Sequence, residues 1–121
     1  MALSMPLVKQ RSAPRPYFLA MCTLVRNEAR WLPEWLSYHS LPSTGFQHFY
    51  LYDDDSADAT EAAISPYVDA GLVTYYRNWS DDWTEQVDLI GRAFPLQAAM
   101  VKHCGHSHVQ HATWIGFLDV D

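Results

Sequence analysis

Tyr17-Phe18-Leu19-Ala20-Met21-Cys22-Thr23-Leu24-Val25, broken at once by Arg26-Asn27-Glu28, is the stretch that decides how this chain folds. It is apolar nearly throughout, without the alternation of a strand that keeps one face in water. A central strand covered on both faces reads this way. Three later runs have the same character: His48-Phe49-Tyr50-Leu51-Tyr52, Leu72-Val73-Thr74-Tyr75-Tyr76 and Thr113-Trp114-Ile115-Gly116-Phe117-Leu118.

Working outward, the stretches between these runs carry helix signals. Pro33 suits a first helical turn, and Trp31, Leu32, Trp35, Leu36 and His39 recur at helical spacing as one buried stripe. Leu41 to Gly45 ends that helix. Ser56 or Asp58 can cap a second helix through Ala62, Ala63 and Ile64, with Pro66 to Gly71 as the turn after it. Pro95 starts a third, with Leu96, Ala99, Met100 and His103 on one side and Gly105 as its end signal. Strand followed by helix, repeated, predicts an α/β fold: a parallel sheet with right-handed crossovers and helices on both faces.

Composition narrows the function. At 121 residues the chain is one domain or part of one. Apolar residues at 49% and charged residues at 18% give a globular balance. The formal net charge of −6 and the scattered Lys and Arg exclude nucleic acid as the main partner. An acidic protein that handles phosphates needs a metal ion as intermediary. No run of about 20 apolar residues is present to span a membrane. Residues 1–16, with Pro6, Pro14 and Pro16 and no apolar signal core, read as a flexible leader, and 17–121 as the folded part. Cys22 and Cys104 are in no metal spacing and are read as two buried thiols in preference to a disulfide.

Each apolar run ends in a polar cluster: Arg26-Asn27-Glu28, Asp53-Asp54-Asp55, Arg77-Asn78 and Asp119-Val120-Asp121. In a parallel sheet these fall along one edge, where open α/β sheets bind ligands. Asp119 and Asp121 are two apart, so on a strand both carboxylates face one side and can hold one hard cation, Mn2+ or Mg2+. Such a cation keeps positions open for substrate phosphates and neutralises a departing diphosphate. Asp53 and Asp54 can accept from a base N–H or a ribose hydroxyl, while Asp58 is the better helix cap. Glycine-rich phosphate loops are absent, which weakens a dehydrogenase or P-loop reading.

Taken in order, several segments resemble glycosyltransferase family 92. These are Cys22 to Glu28, Leu32 to His39, Phe49 to Asp53 with Ser56 and Asp58, Pro66-Tyr67, Gly71, Gln97 with Cys104, and Trp114 to Asp121. More loosely, Asn27-Glu28 and Asp53 to Asp58 are similar to family 2 transferases, with Asp55 where those usually have Gly. The resemblance implies a Rossmann-like GT-A nucleotide-diphospho-sugar transferase fold, here the N-terminal, truncated donor-binding part. It implies a nucleotide-diphosphate sugar donor, UDP-galactose in many members, a glycan acceptor and a Golgi membrane setting with the domain in the lumen. It implies that Asp119 and Asp121 meet the metal, that Asp119 also meets the donor, that Asp53 or Asp54 meets base or ribose, and that Val25, Arg26, Asn27 and Glu28 line the nucleotide. Gln97 and Arg92 either reach the donor phosphate or base or serve as a helix-positioning Gln and an ordinary surface Arg. Acceptor site and catalytic base are expected beyond Asp121. The alternative is a catalytically inactive nucleotide-sugar and metal-binding module.

Two features weigh less. His103, His106, His108 and His111 with Cys104 match no usual zinc spacing and read as a solvated helix end and loop. Asn78-Trp79-Ser80 is a glycosylation sequon that matters only in the secretory lumen.

Overall fold

The computed structural model describes residues 15–77 and 95–120. Most of the expected leader, the Asn78 sequon, Arg92 and Asp121 lie outside these residues. Four strands form one sheet: β1 (Tyr17–Val25), β2 (His48–Asp53), β3 (Val73–Tyr76) and β4 (Ala112–Phe117). Their order is β3-β2-β1-β4 and every pairing is parallel. The α/β expectation is therefore met. The chain steps outward from β1 to β2 and β3, then returns to β1's other side, so the strand order reverses between β1 and β4. Ligands of open α/β sheets bind at such a reversal, outside the carboxyl ends of the strands.

The first helix, α1 (Leu32–His39), carries Pro33 in its first turn. The second is α2 (Thr60–Asp69) and the third α3 (Pro95–His108). On one face of the sheet Met21, Val25, Phe49, Leu51 and Val73 pack with Leu32, Trp35 and Leu36 of α1 and Ile64 of α2. On the other face Ala20, Cys22, Tyr50 and Tyr52 pack with Ala99, Met100 and Cys104 of α3. Both faces of β1 and β2 are thus covered, which explains their unbroken apolar runs.

Four details depart from the expectations. Pro66 lies inside α2, which runs on to Asp69; the carbonyl its ring leaves unbonded belongs to Ala62, which is exposed and can reach water. Ala70 is its C-cap, and Gly71 follows with a φ of 83° that suits a residue without Cβ. Gly105 is interior to α3 because Met100, Cys104 and His108, at helical spacing, are all buried and carry the helix past it. Trp31 is not in the buried stripe: it is 50% exposed at the N-cap of α1. Finally, Cys22 and Cys104 are not free thiols. They form a disulfide between β1 and α3, both fully buried, across a sequence separation of 82.

Candidate functional site

The carboxyl rim is built by two loops that bind one another. After β1, Asn27 takes a left-handed backbone (φ 54°), a conformation Asn tolerates better than most residues. Its side-chain Oδ1 accepts from the N–H groups of Ala57 (2.7 Å) and Asp58 (3.3 Å), and its own N–H donates to Ser56 Oγ (2.9 Å). The Glu28 N–H donates to Thr60 Oγ1 (3.1 Å) and the Ala29 N–H to Asp58 Oδ2 (3.2 Å). Asp58 also accepts from the Thr60 N–H (3.0 Å), at the start of α2. The hydrogen bond from Thr60's hydroxyl, the largest cause, holds the Asp58 carboxyl below its ordinary range. The N-cap of α2 is Ala59, which has no side-chain cap bond, so neither Asp58 nor Ser56 caps the helix as expected; Asp58 instead ties Thr60 to the β1 loop, and Ser56 serves that loop too.

The second aspartate cluster divides its work. Asp53 is buried, at 2% exposure. Its Oδ1 accepts from the Ser56 N–H (2.8 Å) and its Oδ2 from the Tyr75 hydroxyl. Burial first, then that bond, pushes the Tyr75 hydroxyl well above its usual range, so it stays a donor. Asp54 is on the rim, 3.6 Å from the exposed Arg26 guanidinium, and its N–H donates to the Val25 carbonyl (2.9 Å). Asp55 is left-handed (φ 53°). Asp is among the few residues other than Gly that take this conformation at small cost.

Of the residues singled out in the sequence, Arg26, Asn27, Glu28, Asp53, Asp54 and Asp119 come to one rim. Asp119 follows β4 directly after Leu118 and is exposed. The Val25 side chain is buried in the α1-face core and its carbonyl is taken by Asp54. Gln97 is half-buried near the start of α3. Since α3 runs antiparallel to the strands, that start lies at the rim end. Arg77 turns back to α2 and pairs with Glu61 (3.3 Å). The sequence reading missed Tyr75 as the partner of Asp53; its strand position alone does not say which neighbour the hydroxyl meets.

Among the described residues no group of three or more His, Cys, Asp or Glu is placed to hold a metal ion. Asp119 offers one exposed oxygen ligand, which fits a hard cation that takes its remaining ligands from phosphate and water. Two of the histidines are not solvated as expected. His103 Nδ1 lies 2.7 Å from the Tyr52 hydroxyl, and His108 stacks on Tyr50 with centroids 3.7 Å apart. His106 and His111 are exposed.

The profile of glycosyltransferase family 92 matches residues 15–121. A family 92 protein of Ricinus communis is 30% identical over 107 residues, covering 88% of this chain and 17% of that protein. One of Oryza sativa subsp. japonica is 31% identical over 108 residues, covering 88% of this chain and 16% of that protein. One of Arabidopsis thaliana is 26% identical over 113 residues, covering 93% and 17%. The chain thus spans about one sixth of the length of the curated relatives it matches. No solved structure matches.

Proposed function

The chain belongs to glycosyltransferase family 92, and from that premise we propose that it is the donor-binding part of an enzyme that moves a sugar from a nucleotide-diphosphate donor to a glycan acceptor. One observation carries the reading: a parallel sheet of order β3-β2-β1-β4 brings the loops after β1, β2 and β4 to one rim, with Arg26, Asp54 and Asp119 accessible on it. UDP-sugars are the favoured donors, galactose the first to test.

In this reading Asp54 accepts from the ribose or base. Arg26, free to swing from its exposed pair with Asp54, meets a phosphate oxygen. The bonds from Asn27 and Asp58 hold both loops before the donor arrives, so little ordering entropy is spent on binding. Asp119, with Asp121, holds Mn2+ or Mg2+. A cation there supplies neutralisation of the diphosphate as it leaves.

Titration calorimetry with UDP and Mn2+ tests the binding half. Heat that requires both, and that disappears in Asp119→Ala, supports it; equal heat from Asp119→Ala overturns the metal assignment. Release of UDP in the presence of an acceptor separates an enzyme from an inactive nucleotide-sugar-binding module, the second reading. The buried Cys22–Cys104 disulfide supports residence in an oxidising compartment, in keeping with a Golgi lumenal setting. Endoglycosidase-sensitive mass on Asn78 in secretory cells would mark lumenal entry; its absence there counts against it.

A further inference from the structure

Beside Asp119 lies a cavity of about 370 Å3 walled by Trp31, Glu34, Trp35, Tyr38, His39 and Val120. None of these residues has a part in the donor site described above. Against the expectation that places the acceptor site beyond Asp121, we infer that this cavity is a subsite for a pyranose ring of the acceptor glycan.

The sequence spacing makes the wall. Trp31, Glu34, Trp35, Tyr38 and His39 fall at i, i+3, i+4, i+7 and i+8 and form a stripe along α1 that borders Leu32 and Leu36 and shares Trp35 with the core. Trp35 lies at the floor, 8% exposed, while Trp31 and Tyr38 stand 50% and 59% exposed at the sides. Tyr38 and His39 meet edge to face, with centroids 5.1 Å apart, and the Arg30 guanidinium lies 4.9 Å from the Trp31 ring centre, steadying that indole. The volume falls within the roughly 300–1,000 Å3 of small-ligand sites.

The lining fits a sugar. A pyranose presents a patch of C–H groups on one face, which are weakly positive and settle on the negative face of an indole or phenol ring. Its hydroxyls project at the ring edge and need acceptors and donors there, which Glu34 and His39 provide. Among the described residues no Lys or Arg lines the cavity, and Arg30 is engaged on the Trp31 ring at its edge.

Position assigns the sugar to the acceptor. Val120 packs against the α1-face core, while its neighbour Asp119 is exposed. A ring in the cavity therefore lies one residue from the carboxylate that the proposed function gives to the cation. The nucleoside is given to the loops after β1 and β2, at Asp54; the cavity lies along the outer face of α1 and meets the rim through Val120, next in the chain to Asp119. The word acceptor rests on the transferase reading. Sugar binding in the cavity does not.

The test follows the indole N–H signals of Trp31 and Trp35 by NMR in the 15N-labelled chain. The probes are the methyl glycosides of galactose, glucose, mannose and N-acetylglucosamine, and separately uridine. At least one glycoside is expected to shift both signals with a dissociation constant on the order of millimolar. Tyr38→Ala and Glu34→Gln should weaken that binding at least about tenfold, without changing the heat of UDP–Mn2+ binding. If no glycoside moves either indole at concentrations on the order of 0.1 M, or the shifts survive in both variants, the subsite is overturned. Movement of the same signals by uridine would make the cavity a nucleoside pocket instead. Glycoside binding in a chain that ignores UDP–Mn2+ would leave a sugar site but remove its assignment to an acceptor. UDP–Mn2+ binding without any glycoside response would sink the subsite and leave the transferase reading standing.

Discussion

Under α1 and α2 the sheet is faced mainly with aliphatic and thioether side chains, Met21, Val25, Leu51 and Val73, joined by Phe49, and the helices answer with Leu32, Leu36 and Ile64. Under α3 the same strands present Tyr50, Tyr52 and Tyr76, and the helix answers with His103, His108 and one half of a disulfide. The first face is held by close packing that any apolar residue of suitable shape serves. The second depends on partners: Tyr52 with His103 (2.7 Å), Tyr76 with His108 (2.6 Å), Cys22 with Cys104. One β-sheet thus carries a face held chiefly by packing and a face that answers to redox state and to histidine protonation.

Truncating the packed face should have the largest effect. Phe49 is fully buried between Trp35 and Phe46, and Phe49→Ala should cost about 3–5 kcal/mol in urea unfolding. Dithiothreitol should not alter that difference, because the sulfurs lie on the other side of the sheet. If it does, the two faces are not independent.

Next comes the disulfide. Removing it by Cys22→Ala with Cys104→Ala, or by reduction, should lower stability by about 2–4 kcal/mol, read as a fall in Tm. An unchanged Tm would mean that the tyrosine–histidine contacts hold α3 by themselves.

The third effect is acid sensitivity confined to the α3 face. Burial first, then the neighbouring His111, His103 and His48, drops His108 to about 4, and burial also lowers His48 and His103. The folded state therefore prefers these rings neutral. Their contribution is complete above the unfolded value near 6.5 and is lost as pH falls from there towards 4. Stability should decline by about 1–2 kcal/mol across that window, and His108→Leu should flatten the slope. A slope unchanged in His108→Leu would assign it to carboxylates instead.

Tyr76→Phe should give the smallest change, about 1 kcal/mol, by removing one hydrogen bond while keeping the ring stacked on Tyr52. A cost near zero would show that water replaces the hydroxyl at His108 Nε2.

Much of this arrangement was legible in the chain itself. The apolar runs marked the four strands to within a residue or two; burial on both faces excludes polar residues from β1 and β2, whereas β4 keeps an apolar run at the sheet edge with Trp114 and Phe117 exposed. The polar clusters marked the rim for the same reason in reverse: a strand end reaches water. The resemblance to family 92 rested on those same clusters. The helix limits were less legible. Pro66 and Gly105 are end signals locally, yet α2 and α3 continue past both, since burial of Tyr67 and of Cys104 and His108 outweighs a weak local preference.

What the sequence determined, then, is which segments are strands, that they run parallel, and that Arg26 to Glu28, Asp53 to Asp58 and Asp119 share a rim. These follow from periodicity and composition, which are local. Only the tertiary structure decided that Cys22 meets Cys104, that Asp53 turns inward to Tyr75 while Asp54 stays on the rim, and that Trp31 leaves the core to wall a cavity. Each of these depends on the distance between residues far apart in the chain, and no local pattern encodes such a distance.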